Sequence, residues 1–326
     1  MKIDNIEWNG KQITKPGMYS RVPMDIYHSQ KLFPGPSVSS SGLRAFTQQS
    51  PKHFYAKWDG NPNRREDLKA DEDRRHFILG RALHHLVLGE PFFAKLFVEE
   101  PAEYRDPSKG KDEWMKWSNN ATVCKNWHKE QREAGKTVLK IKEIDTIKGM
   151  AAELSIHPFV QHGALNGLIE RSIFWKDKKT GIYCKSRPDS IPTTSADFFD
   201  YKSTGSVRWR DLQRAIDSLG YHQQAALVRQ GCREVLGLDT TATQFTFTLL
   251  FQEKTDPYCV RDVAIKTATI DLGERMNRAA LDRMAECLRQ NRWPGPGDGR
   301  EGSEHIELSE FRVKEAEYYL EHPEEA

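Results

Sequence analysis

A chain of 326 residues with a formal charge of +2 can bury a sizeable core, and its charge balance neither demands nor excludes nucleic acid. Aromatics at 10% with eight Trp exclude disorder as the main state. No apolar run reaches bilayer length and the polar start MKIDNIEWNGKQ has no signal-peptide core, so the expectation is a cytoplasmic protein with no membrane contact. Cys124, Cys184, Cys232, Cys259 and Cys287 are scattered without a CxxC pair. That pattern fits a reducing compartment and argues against an iron–sulfur or structural zinc site.

Residues 1–36 are punctuated by Lys15-Pro16-Gly17 and Pro34-Gly35-Pro36 and are expected to be irregular. The serines of SVSSSGLR offer N-caps ahead of Leu43 and Phe46, and Ser50-Pro51 opens a short aromatic helix with Phe54, Tyr55 and Trp58. Phe77, Leu83, Leu86 and Val87 recur at helical spacing in Asp71–Leu88, closed by Gly89. Residues 101–139 are rich in charge and Trp and should hold at least one helix. A clearer helix spans Ile141 to Ile156, before Pro158.

The pattern then changes to period two. Ile169, Ile173 and Trp175 alternate with Glu170, Ser172 and Phe174, DKKTG turns the chain, and IYCKSRP and DFFDYK follow as strands. This reads as a three-stranded meander. Helices fill WRDLQRAIDSLGYHQQAALVRQGCREVLG, two more strands lie in TQFTFTLLFQE and CVRDVAIKTATI, and an amphipathic helix runs from Gly273 to Gln290. The tail ending HPEEA is expected to be mobile. The order predicts an α/β fold, a central mixed sheet flanked by helices with an N-terminal helical addition.

Asp200 and Lys202 are two apart on a predicted strand and share a face, with Phe199 and Tyr201 turned into a core. Alone, such a pair reads as a solvated face. Asp189, at the end of the preceding strand, changes the reading if the meander brings it to Asp200. Two adjacent carboxylates repel unless a cation neutralises them, and Mg²⁺ suits one or two carboxylates plus waters. A lysine there can orient water or stabilise charge on a phosphate. Glu170 reads equally as a further site acid or a surface glutamate.

His84 and His85 are helical neighbours about 100° apart, so at most one faces a given site. Gly80, one turn earlier, permits close packing and favours His84. Tyr221 and Gln224 share a helix face. Without further context they read as ordinary buried polar groups. Lys178, Lys179, Lys185, Arg187, Arg208, Arg210 and Arg214, with Trp209 between two arginines, suit phosphate backbones and stacked bases. A solvated charged face is the alternative.

GRALH, IERSIFW, GIYCKSRPD, DYKST and YHQQ occur in that order, framed by YHSQ from Tyr27, SSSGLR, SPKHF and NRWPGP. Together they resemble the RecE-type exonucleases (exodeoxyribonuclease VIII) of the PD-(D/E)XK nuclease superfamily. The resemblance implies a single nuclease domain over 1–326. Its parts are an irregular segment 1–36, a mainly helical part 37–160, a sheet-containing catalytic core 161–294 and a tail 295–326. It also implies Mg²⁺-dependent hydrolysis of duplex DNA from an end, 5′ to 3′, with Mn²⁺ able to substitute. His84, Asp189, Asp200 and the carbonyl of Tyr201 would hold metal. Lys202 would assist the attacking water, Glu170 would bind or orient a second metal, and Tyr221 and Gln224 would brace the site. Arg187, Arg208, Trp209 and Arg210 would contact DNA. A homo-oligomer such as a tetramer and a single-strand annealing partner are implied too. The alternatives are a structure-specific or nicking endonuclease and a non-catalytic DNA-binding protein. The last should lack a carboxylate or the lysine, and Asp189, Asp200 and Lys202 are all present.

Overall fold

The computed structural model describes residues 5–64, 75–87, 93–106, 111–169, 171–193, 195–237 and 245–325. The N-terminal part holds strands β1 (Asn5–Glu7), β2 (Gly17–Ser20) and β3 (Ser37–Ser39), with helix α1 (Met24–His28) between the second and third. Helices α2 (Ser40–Gln48), α3 (Pro51–Lys57), α4 (Arg75–Val87) and α5 (Phe93–Leu96) follow. Next come β4 (Phe97–Glu99), β5 (Glu103–Asp106), β6 (Lys111–Lys116), α6 (Thr122–Glu133), β7 (Thr137–Leu139), α7 (Ile141–Ser155) and α8 (Pro158–Gln161). The second half holds β8 (Leu168–Ile169), β9 (Ser172–Lys176), β10 (Tyr183–Ser186), β11 (Ser190–Ile191) and β12 (Asp197–Thr204). It continues with α9 (Trp209–Leu219), α10 (Tyr221–Gly231), β13 (Thr246–Glu253), β14 (Val260–Ala264), α11 (Thr267–Gln290) and α12 (Glu310–Glu321). None of the helices among the described residues is long and apolar enough to cross a membrane.

Local chemistry accounts for several boundaries. Ser50 Oγ accepts the His53 N–H and Pro51 occupies the first turn of α3, as the sequence predicts. Ser39 holds the N-cap position of α2 but makes no capping bond; its hydroxyl pairs with Ser41 at 3.0 Å. Gly220 separates α9 from α10 in a left-handed conformation, φ 62°, which a side chain would resist.

The main strands form two mixed sheets rather than a meander, and β4–β7, β5–β6 and β8–β11 form separate pairs. One sheet has the order β1-β2-β9-β10-β3, the other β12-β13-β14. The hairpin β9–β10 is antiparallel as expected, but β12 leaves it and pairs in parallel with β13, Asp200 opposite Leu249. A parallel pair needs a crossover, and α9 and α10 supply it. The short β11, antiparallel to β8, lies in the stretch between IYCKSRP and DFFDYK, which the sequence pattern reads as a loop.

Both faces of these sheets are covered. Phe198, Phe247, Leu249 and Phe251 join α10 and α11 in one core. Tyr201 and Leu250, on the opposite face, join α4 and α7 in a second. The described residues of the segment 1–36 are not irregular: they add two strands, and Val22, Tyr27 and Phe33 enclose Phe174 and Tyr183 in a third core. Likewise the tail is not wholly unstructured, because it carries α12.

Candidate functional site

Asp200 and Lys202 project from β12 on the face that carries Phe198, while Tyr201 is buried on the other. Tyr201 is anchored from behind, its hydroxyl donating to Gln252 Oε1 at 2.7 Å. Gln252 in turn donates to the Met150 and Tyr258 carbonyls at 2.8 and 3.2 Å. Nothing in the local pattern around Gln252 marks it, since its role depends on the register of β12 on β13.

The loop before β11 delivers Asp189 to the free edge of β12. The Tyr201 N–H donates to Asp189 Oδ2 at 2.7 Å. On a strand a residue's N–H and C=O leave on the same side, so the Tyr201 carbonyl shares this edge. His84 of α4 completes the group, with Nε2 at 2.9 Å from Asp189 Oδ1. Helix α4 approaches β12 closely at Gly80, where an added Cβ would lie 3.5 Å from Ser203 Oγ. His85 diverges as expected, toward the Phe97 ring.

Gln224 of α10 donates to Asp200 Oδ1 at 2.9 Å, and Tyr221 places its ring 5.4 Å from the Lys202 ammonium. Their neighbour Gln223 faces the other way and pairs with Asn277 of α11 at 3.0 Å and Thr47 of α2 at 2.9 Å. The helix therefore divides YHQQ between the site and the core.

Asp200 is fully buried. Its Oδ2 lies against the Lys202 ammonium but has no hydrogen-bond donor in good geometry among the described residues. Burial and then the Asp189 charge raise its carboxyl to about 6, with Lys202 opposing. Asp189 shifts the other way. Burial would raise it, but His84, Lys202 and the Tyr201 N–H hold it below the usual carboxylate range. Burial likewise disfavours the Lys202 ammonium, and the two carboxylates more than restore it. The result is the Lys202 ammonium facing two interacting acids, Asp200 wholly buried and Asp189 nearly so.

Arg44 of α2 is a charge that the sequence reading missed. Burial lowers its pKa, opposed by the fields of Tyr221 and Asp200, and its guanidinium bonds the Leu219 carbonyl. The signal was present in SSGLR, but only folding shows that this arginine approaches Asp200.

The sequence-predicted residues His84, Asp189, Asp200, Tyr201, Lys202, Tyr221 and Gln224 thus share one neighbourhood. Among the described residues, however, no three His, Cys, Asp or Glu side chains converge on one point. His84 instead caps Asp189, and Lys202 faces Asp200. Glu170 lies outside the described residues.

The expected basic cluster separates. Lys185 is buried and donates to the Tyr27 carbonyl at 2.6 Å. Arg187 donates to Ser172 Oγ and the Val22 carbonyl, both at 2.7 Å, and covers the Tyr27 ring at 4.5 Å. These two bolt the N-terminal segment to β10. Lys178 and Lys179 meet Glu234 at 3.5 Å and Asp282 at 2.8 Å beyond the β9–β10 turn. Arg208, Trp209 and Arg210 stay exposed at the start of α9, with Trp209 62% accessible. Arg187→Ala is accordingly expected to destabilise the fold by about 2 kcal/mol in chemical denaturation. If its main role were DNA contact, the variant would instead keep its stability and lose affinity.

Residues 39–307 match the family described as "PDDEXK-like domain of unknown function (DUF3799)". The chain belongs to that family. The match embraces α4, β9 to β14, α10 and α11, and so every site residue named above, while β1 and β2 lie before it. A crystal structure described as "Putative exonuclease" from Eubacterium rectale is similar in fold, with a TM-score of 0.55 at 13% identity, covering 88% of this chain and 96% of that one. No curated protein sequence matches the chain. The architecture is the PD-(D/E)XK core.

Proposed function

We propose that this member of the DUF3799 family is a metal-dependent DNA exonuclease of the RecE type. The observation that carries the reading is the buried, coupled pair Asp189 and Asp200 beside Lys202, on the edge of a PD-(D/E)XK sheet. The donor set fits a divalent ion, because two carboxylates, a carbonyl and an imidazole suit Mg²⁺ or Mn²⁺ and the buried Asp200 Oδ2 needs a partner. Asp189, Asp200, the Tyr201 carbonyl and His84 would hold it after His84 gives up its bond to Asp189. Bound there, the ion would polarise the phosphate and lower the pKa of a coordinated water.

The chain's own residues do the rest. Lys202, held in its charged form by the two acids, orients the attacking water and offsets charge on the phosphate. Gln224 fixes the Asp200 carboxylate, and Tyr221 limits where the ammonium can move. Arg208, Trp209 and Arg210 supply phosphate and stacking contacts beyond the end of β12. In this reading a duplex end is degraded 5′ to 3′ to leave a strand for an annealing protein, and the working form is a homo-oligomer.

The test is digestion of linear duplex labelled at one 5′ or one 3′ end, beside a closed circle, with Mg²⁺ and with EDTA. The expected result is loss of label from the 5′ end first, no cutting of the circle and no reaction in EDTA. Nicking of the circle would overturn the exonuclease assignment in favour of an endonuclease.

A further inference from the structure

Gln252 of β13 is a fully buried amide on the side of the sheet away from the acids. It borders the apolar core that Ile147, Met150, Leu154 and Leu250 form with Tyr201. Its three hydrogen bonds reach three elements. Oε1 accepts the Tyr201 hydroxyl of β12 at 2.7 Å, and Nε2 donates to the Met150 carbonyl of α7 at 2.8 Å and to the Tyr258 carbonyl, in the turn before β14, at 3.2 Å. Those two carbonyls are fixed points. Met150 lies within α7, and the Tyr258 ring rests over Gly149 of the same helix, where an added Cβ would come within 2.4 Å of it. A methionine would fill the space of Gln252. What the amide adds is direction, because a satisfied buried network admits one geometry while its net contribution to stability is small.

That direction falls on Tyr201. Side chains alternate along β12, so Asp200 and Lys202 cannot swing about the strand axis without moving the Tyr201 ring. The backbone between them carries the N–H held by Asp189 Oδ2 and the carbonyl that shares this edge. From the other face Gln224 of α10 holds the Asp200 carboxylate at 2.9 Å. Two amides from separate elements thus grip adjacent residues of one strand.

We propose that Gln252 is a positioning residue for the metal site, a role that rests on the metal-dependent reading of Asp189, Asp200 and the Tyr201 carbonyl. Acting through Tyr201, it sets the twist of β12 and with it the aim of the Asp200 carboxylate, the Lys202 ammonium and the Tyr201 carbonyl. A site held this way selects ions by geometry: Mg²⁺ demands near-ideal octahedral coordination, whereas Ca²⁺ accepts flexible arrangements.

Calorimetric titration of the metal-free protein with Mg²⁺ and with Ca²⁺ tests this without DNA or turnover. Tyr201→Phe with Gln252→Met removes both partners and keeps side chains of similar size, so the melting temperature in EDTA should stay near that of the wild type. Mg²⁺ affinity should fall by about tenfold or more and Ca²⁺ affinity by much less, which shifts the preference between the two ions. Tyr201→Phe alone keeps the ring, should shift the preference the same way, and carries the test where the double variant fails to fold. Leu139→Ala, which thins the same core without touching either side chain, should lower the melting temperature and leave the preference unchanged. A wild-type preference in both network variants overturns the proposal. So do equal losses for the two ions that follow the melting temperature, since these report a merely structural role. No heat from either ion in the wild type overturns the metal reading itself, and this role with it.

Discussion

Asp200→Asn is expected to abolish Mg²⁺-supported degradation of duplex DNA, by on the order of 10³-fold or more, while making the protein more stable at pH 7. Both effects have one origin. Burial and the Asp189 carboxylate raise the Asp200 carboxyl to about 6, against about 3.9 in an unfolded chain. The folded state therefore binds this proton more tightly than the unfolded state does. The associated stability is fully present below about pH 4 and is lost as pH rises through about 6. Asparagine keeps an oxygen for the Gln224 amide but never takes the charge.

The gain at pH 7 should approach about 3 kcal/mol, from the roughly two-unit shift. Thermal melts of both proteins from pH 4 to 8 give the check: the curves should coincide at the acid end and separate between about pH 4 and 7. Added Mg²⁺ should raise the melting temperature of the wild type and leave the variant nearly unmoved. A variant no more stable than wild type at pH 7 would remove the case for two repelling carboxylates. Retained degradation would remove Asp200 from the site.

Gly273→Ala should damage the fold severely. A Cβ at this position would lie 2.4 Å from the His222 carbonyl oxygen and 3.0 Å from the Gln223 nitrogen, both backbone atoms. Neither can turn aside as a side chain would, so α11 must move off the start of α10. That turn carries Tyr221 and Gln224, so the displacement reaches the acids as well as the core. The expected loss is about 3 kcal/mol by denaturant unfolding, with a fall in activity. Gly205, whose added Cβ meets nothing within 4 Å, provides the control: Gly205→Ala should change neither. Equal stability of the two variants would show that the helices can separate without strain.

The expectations that held were those set by local chemistry. The capped start of α3, the helix from Ile141, the β9–β10 hairpin and the divergence of His84 from His85 depend on neighbours within a turn or two of chain. The expectations that failed concerned distant partners. A three-strand meander was the economical reading of residues 169–202, because period two says which face a side chain takes but not which strand lies alongside. The partner of β12 is β13, which the chain reaches only after two helices. Lys185 and Arg187 looked like surface charge because their acceptors, the carbonyls of Tyr27 and Val22, lie about 160 positions earlier.

The stretch around Asp189, Asp200 and Lys202 shows the same division. The sequence by itself determined the chemistry available: two acids and a base, with residues 200 and 202 sharing a face because side chains alternate along a strand. It also determined that Tyr221 and Gln224 travel together on one helical face. Only the tertiary structure decided that the two acids are coupled and their affinities for protons driven apart. The physical reason is that such shifts require removal from water and a neighbouring charge at short range. Packing of α4 and α10 against opposite faces of β12 supplies the first, and the loop before β11, which brings Asp189 to the strand edge, supplies the second.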